Sequence, residues 1–332
     1  MATQTFQMHR RPAFDIVSYG RRGPSRPDRF SPTQVAQIAR TVCRTPEAMV
    51  KVCGGAKTLR GVAAHFTYIS RRGELEIETE DGERQQGRDL AGKLVDDWDL
   101  EIDMALDRWQ RMERGGRVPR PKPVHNIVLS MPAGTSPQRL FAASREFARE
   151  EFALQHRYAM ILHTDQGHPH VHLVISAHRL NGGRLNIRKA DLRRWREQFA
   201  RQLRDQGVEA NATPAQLRGR LSDHQRNGVY RASRRGESRV DDSRGRRARA
   251  EVAGLAPRTK AVGRLFDTGE CVQQDWSDTS ATLMRQGLGG LSNEVERYRQ
   301  GLSVPRTRHE RAVAAARHSR AELPRRQLEL TL

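Results

Sequence analysis

Four of the twelve histidines fall within ten residues, in the segment HTDQGHPHVH (163–172). Side chains two apart on a strand project from one face, so His170 and His172 point the same way if this segment is extended. His163 closes the preceding apolar run, YAMILH, and reaches the same point if the two runs pair as a hairpin. Three converging imidazoles make three corners of a tetrahedron or half of an octahedron, with open positions left for water or phosphate. That openness suits a catalytic divalent metal, Mg or Mn first and Zn as the alternative. Asp165 is placed to orient one of these histidines by hydrogen bonding. His168, beside Pro169 in the turn, is either a fourth ligand or a DNA contact. A histidine-rich core strand without metal is the plainer account, and three imidazoles interleaved with Val171, Leu173, Val174 and Ile175 weaken it.

A metal polarises a phosphodiester but does not name the nucleophile. The chain has five tyrosines: Tyr19, Tyr68, Tyr158, Tyr230 and Tyr298. Tyr68 ends a segment of helical spacing and precedes Ser70-Arg71-Arg72-Gly73. Arg71 and Arg72 are placed to hold a phosphate backbone. A phenol of pKa about 10 is mostly protonated at neutral pH and needs such cationic neighbours. Tyr158 opens the strand carrying His163, where packing is the expected duty.

The elements that must position these groups can be read from periodicity. Ser31-Pro32 caps a helix with Val35, Ile38 and Val42 as its stripe. AMVKVCG (48–54) is a strand, and Leu59, Val62, Ala63, Phe66 and Ile69 define a helix from Thr58 to Ile69. ELEIE (74–78) alternates as a half-exposed strand, and 88–114 reads as helical and acidic. VHNIVLSM (124–131) is a strand closed by Pro132 and Gly134, and Ser136-Pro137 opens a helix to about Gln155. YAMILHTD and HVHLVIS form a hairpin across QGHP, and a last helix spans 190–206. Strands and helices are thus mixed, as in an α+β fold, with a disordered or weakly helical C-terminal extension. Within that extension, 231–251 is Arg-rich and reads as disordered, with weak helices at 273–301 and 308–322.

Charge limits the partner. The 332 residues carry 59 Lys plus Arg against 39 Asp plus Glu, a net charge of +20, with a pI near 11.1 and a mean hydropathy of −0.78. Nucleic acid is the default partner for such a balance. Residues 74–107 run against it, with 13 acids and three basic residues. No apolar run approaches the ~20 residues of a membrane span, and the N-terminus lacks the apolar stretch of a signal peptide. Cys43, Cys53 and Cys271 are too scattered for a disulfide framework or a metal knuckle. The expected division is a basic flexible arm over 1–30, a catalytic domain over 31–215, and an Arg-rich, partly helical tail over 216–332.

Three segments in order, HFTYISRRGELEIE (65–78), VHNIVLSMPAGT (124–135) and HTDQGHPHVHLVIS (163–176), resemble the motifs of conjugative and mobilisation relaxases of the HUH endonuclease superfamily. The resemblance is to the branch that nicks T-DNA borders, covers about residues 47–213, and implies an α+β fold with a central antiparallel β-sheet flanked by helices. It implies Tyr68 as nucleophile, His163, His170 and His172 as metal ligands, and Asp165 as support for the histidines and the tyrosine proton. It implies Ser130 as a DNA contact beside Arg71, Arg72 and His168. The implied function is metal-dependent, strand-specific nicking and rejoining at an origin of transfer through a 5′-phosphotyrosyl intermediate, which starts plasmid mobilisation. The implied partners are single-stranded or melted DNA, accessory nicking proteins, and a coupling protein of type IV secretion. The expected location is the bacterial cytoplasm, with export to a recipient cell on the bound DNA. Arg317, Arg320, Arg325 and Arg326 with the terminal LELTL are candidates for the secretion signal. Three rivals remain: a rolling-circle initiator of the same metal type using Tyr230, a non-catalytic DNA-binding protein with a structural metal, and metal-dependent hydrolysis by bound water.

Overall fold

The computed structural model describes residues 29–115, 121–219, 227–256, 261–302 and 307–329. The expected arm therefore lies, apart from its last two residues, outside the described part, as does Tyr19. Two compact units are present: residues 44–212, and a helical unit made of α1 (Pro32–Val42) with the chain from Thr213 onward.

The first unit holds one six-stranded sheet in the order β1-β4-β6-β5-β2-β3, with every pairing antiparallel. The strands are β1 (Met49–Gly54), β2 (Ile77–Thr79), β3 (Arg84–Gln85), β4 (Val124–Ser130), β5 (Tyr158–His163) and β6 (His170–Ser176). The α+β class expected from periodicity is what forms. β6 lies between β4 and β5, so its side chains meet cover on both faces and the segment is almost wholly buried.

Alternation then sorts the residues. Val171, Leu173 and Ile175 face α5 (Pro137–Phe152) and α6 (Lys189–Asp205), packing with Phe147, Phe152, Trp195 and Phe199. Ser136 caps α5 by accepting from the Arg139 amide, with Pro137 in the first turn. On the opposite face Val174, Ile161 and Ala159 pack against Val62, Phe66 and Ile69 of α2 (Leu59–Ile69) and Leu90 and Leu94 of α3 (Leu90–Asp97). His170 and His172 belong to this second face.

Two segments differ in detail from the periodicity. The acidic 88–114 segment is two helices, because Asp99 adopts a left-handed φ of 50° between α3 and α4 (Leu100–Glu113). The ELEIE strand is shorter and fully buried at Ile77–Thr79. Its Glu78 is 4% exposed and lies between Arg84 and Arg145, whose guanidiniums replace the solvent expected there.

The domain boundary also shifts. α1 packs not with the sheet but with α9 (Ala261–Arg285) and α10 (Gly289–Gln300), where Ile38 and Val42 join Trp276, Leu283, Val295 and Tyr298. Trp276 Nε1 donates to the Leu217 carbonyl at 3.1 Å, and the Thr41 and Thr213 hydroxyls lie 3.0 Å apart. The Arg-rich 231–251 segment is helical rather than disordered, forming the end of α7 (Asn227–Arg234) and α8 (Arg239–Val252). Ser238 caps α8, and α8 packs on α11 (Arg308–Glu329). Local capping and a partner helix outweigh its poor hydrophobicity. Among the described residues no helix is long and apolar enough to cross a membrane.

Phe147 is fully buried with Phe152 and Phe199 edge-on, each at 6.0 Å. Phe147→Ala should destabilise the sheet unit by about 3–5 kcal/mol, read as a lowered midpoint in urea unfolding followed by circular dichroism.

Candidate active site

Register brings the histidines together. His163 pairs directly with His170 across β5 and β6, and Ile161 pairs with His172. All three imidazoles therefore leave the same face, with ring centroids 4.6–5.1 Å apart. One ring nitrogen from each lies within 4.8 Å of the others, the one such group among the described residues. Ser130, at the end of β4, is opposite His170 on the other side of β6.

Two tautomers are set by carbonyl acceptors. His163 Nε2 donates to the Ile69 carbonyl at 2.6 Å, leaving Nδ1 with its lone pair free. His170 Nδ1 donates to the His168 carbonyl at 3.2 Å, leaving Nε2 free. Burial lowers the His163 pKa, and burial together with the neighbouring His163 and His170 takes His172 down to about 3. His163 and His172 are thus held neutral, and the carbonyl bonds orient His163 and His170, as metal ligands require. This donor set fits a divalent ion at His163, His170 and His172. His168 serves through its backbone; its side chain is exposed and outside the ligand group.

The tyrosine arrives on α2. Thr58 caps the helix by accepting from the Gly61 amide at 3.1 Å, and Val62, Phe66 and Ile69 bury one side. Tyr68, next to Ile69 on the chain, is turned outward and 63% exposed. Beyond Ser70 the chain makes a sharp turn in which Arg71 (φ 53°), Arg72 (φ 61°) and Gly73 (φ 87°) are all left-handed. Two consecutive non-glycine residues in this region are strained. They are held by Arg72 N–H to Thr67 O at 2.8 Å, Leu75 N–H to Ser70 O at 2.9 Å, and Gly73 N–H to Ser70 Oγ at 3.1 Å. At Gly73 an added Cβ would meet the Gly87 carbonyl oxygen at 2.1 Å, so no larger residue fits.

The turn carries Arg71 back over the site. Its guanidinium lies 5.6 Å from the Tyr68 ring centroid and hydrogen-bonds Asp165. That bond holds the Asp165 carboxyl below the usual range, which weakens it as a proton acceptor and leaves it as the charge that aims Arg71. Asp165 Oδ1 is also 3.9 Å from His163 Nδ1. Arg72, exposed, has its neighbour's backbone strain but not its bond to Asp165.

The other tyrosines go elsewhere. Tyr158 is buried on the α5–α6 face, where burial pushes its phenol up to about 12. Tyr298 packs on Trp276 at 5.1 Å in the helical unit, and Tyr230 stands 50% exposed on α7 of that unit. Sequence reading missed His65. Its ring is edge-on to His172 at 6.4 Å, and its Nε2 is buried without a hydrogen-bond partner. The one signal for it was its place a turn before Tyr68 on the same helix. The Ile69 carbonyl was also missed, since backbone acceptors leave no mark on residue type.

Residues 68–208 match the family model for the nuclease domain of MobA/VirD2-like relaxases. The VirD2 T-DNA border endonucleases of Rhizobium rhizogenes and Agrobacterium fabrum are each 31% identical over 142 residues, 39% of this chain. The match spans 30% and 29% of those relatives, so the chain covers about a third of their length. No solved structure matches the chain.

The folded chain keeps His163 and His172 neutral below the imidazole value of 6.5. The unfolded chain takes up protons first as pH falls. The metal-free protein should therefore hold full stability above about pH 6.5 and lose it progressively toward pH 3. His172→Gln should flatten that loss, which thermal unfolding in chelator across the pH range would show.

Proposed function

We propose that this protein cuts and reseals one strand of DNA at an origin of transfer, through a covalent bond between Tyr68 and the 5′ phosphate. The observation that carries this reading is the end of α2. There an outward-facing phenol lies beside Arg71, and the next residue's carbonyl holds a metal-ligating histidine. Nucleophile, cation and metal ligands are thus tied into one constellation.

Tyr68 Oη attacks the scissile phosphorus and the bond to the 3′ oxygen breaks. That oxygen leaves with the electron pair and takes up a proton, giving a free 3′-hydroxyl. The phenolic proton passes to solvent, while Asp165 holds Arg71 beside the phenol. Arg71 stabilises the developing phenolate and the charge on the phosphoryl oxygens. A divalent ion held by His163, His170 and His172 supplies Lewis-acid stabilisation of the scissile phosphate. A nitrogen-rich ligand set suits Mn or Zn better than Mg, which prefers oxygen. The phosphotyrosyl bond conserves the phosphodiester's energy, so the 3′-hydroxyl can reverse the reaction without ATP.

The strand has a natural bed. On the histidine face, Met49, Lys51 and Cys53 of β1 are exposed, and Val128 and Ser130 of β4 are half-buried. This open half of the sheet adjoins the metal ligands, with Lys51 for phosphate and Ser130 for a hydrogen bond near the cut. Arg72 and the His168 side chain border the same turns and complete the proposed DNA contacts.

The wider setting follows the same reading. The protein would act in the bacterial cytoplasm with accessory nicking proteins, then pass through a coupling protein and type IV secretion with its DNA. Arg317 lies exposed on α11, while the side chains of Arg320, Arg325 and Arg326 and most of LELTL fall outside the described residues. Removal of 310–332 should abolish transfer in mating assays while nicking persists.

The decisive experiment incubates the protein with supercoiled plasmid carrying its origin of transfer. We expect a protein–DNA adduct that Tyr68→Phe abolishes, Tyr230→Phe leaves intact, and chelator suppresses by about 100-fold or more. Adduct surviving in Tyr68→Phe but lost in Tyr230→Phe would instead establish the rolling-circle type of initiator. Cleavage leaving a free 5′ phosphate would mean hydrolysis by water.

A further inference from the structure

The helical unit carries a second concentration of charge, outside the matched domain. On α8, Ala248 is buried, and Asp241 and Arg244 on that same side pair with one another. Arg239 and Arg246 are two turns apart, so they stack on the opposite, outward side about 10 Å from each other. Arg247 and Arg249 flank them, and all four are exposed. α7 adds exposed Arg231 and Arg234 beside Tyr230, itself 50% exposed.

Apart from the exposed Asp242, the nearby acids are engaged elsewhere. Asp241 accepts from Ser233 and Arg244, Glu237 pairs with Arg235 at 2.8 Å, and Glu251 pairs with His309 at 2.8 Å. Arg231, Arg234, Arg239, Arg246, Arg247 and Arg249 make no ion pair among the described residues. The Ser233–Asp241 bond, with Glu237 N–H to Ala232 O at 2.9 Å, fixes α7 against α8. The arginines are therefore displayed on an ordered surface, where a single carboxylate, Asp242, offsets six guanidiniums and most of their mutual repulsion remains.

We propose that the outward face of α7 and α8 binds single-stranded nucleic acid, independently of the nicking site. Guanidiniums match phosphate oxygens with paired hydrogen bonds, and an exposed tyrosine between arginines offers a base a stacking surface. A membrane surface fits poorly, because the outward side of α8 shows Asp242, Ser243 and arginines. Val240, 46% exposed at its margin, is the one sizeable apolar group there. The site would hold the strand on the helical unit while the sheet unit works on the nick.

The test uses the full chain and labelled oligo(dT), which carries no nick sequence. In the triple variant Arg246→Gln, Arg247→Gln, Arg249→Gln, affinity should fall about tenfold. The slope of log affinity against log salt should fall by about 2, near 0.7 for each phosphate that is no longer neutralised. The corresponding lysine triple should keep the slope. In the unmodified protein, oligo(dT) should protect these three arginines from phenylglyoxal, read by mass spectrometry. An unchanged slope in the glutamine triple or absence of protection would overturn the proposal. So would a glutamine triple that binds oligo(dT) normally but no longer binds anionic vesicles. The glutamine triple should still form the adduct on its cognate plasmid, so failure of the nicking reading and failure of this one are separable.

Discussion

One hydrogen bond ties the chemistry of this protein to its fold. The His163 imidazole donates from Nε2 to the carbonyl of Ile69, at the last residue of α2. The bond does two things at once. It fixes the tautomer that leaves Nδ1 for a metal, and it anchors the helix end from which Tyr68 projects. Helix C-termini leave carbonyls without intrahelical partners, so the anchor uses a group the helix had to satisfy anyway. Shift that helix end by one residue and His163 loses its acceptor while Tyr68 turns into the core.

The turn after α2 follows from the same requirement. A helix closing on Ile69 over the sheet must reverse at once to reach β2, and the chain does so through three left-handed residues. Gly73 is demanded there by both φ and the Gly87 backbone against it. Arg71 and Arg72 are not suited to that conformation. The strain is held by backbone bonds to Thr67 and Ser70 and places the Arg71 guanidinium between Tyr68 and Asp165. Strain stored beside reacting groups is common where geometry has to be imposed.

Sheet order supplies the rest. β6 in the middle receives full apolar cover from α5 and α6 on one face, so the other face can give two positions to histidine without losing the strand. Burial at those positions keeps His172 neutral. Toward β1 the helical cover ends, and Met49 and Lys51 stay open beside the ligands. A sheet sealed on both faces would be more stable and would leave no room for the DNA strand proposed to lie there.

Much of this was legible in residue order. Spacing of two along HVH, the hairpin turn at QGHP, and the apolar period of 59–69 determined the strand pair, the helix and the convergence of the three imidazoles, because these depend on local geometry alone. Tyr68 was marked by its neighbours rather than by its type. Other features required the tertiary structure. Glu78 is buried because Arg145 and Arg84 reach it from other segments. α1 leaves the sheet unit because Trp276 and Val295, more than two hundred residues away, cover its stripe better. The Arg-rich 231–251 stretch is helical because α11 lies against α8. His65 and the Ile69 carbonyl entered the site through packing of α2 on β5 and β6. Residue order sets which face a side chain can take, since backbone periodicity is fixed by covalent geometry. Which groups meet across that face is decided by non-local packing, whose partners no local pattern encodes.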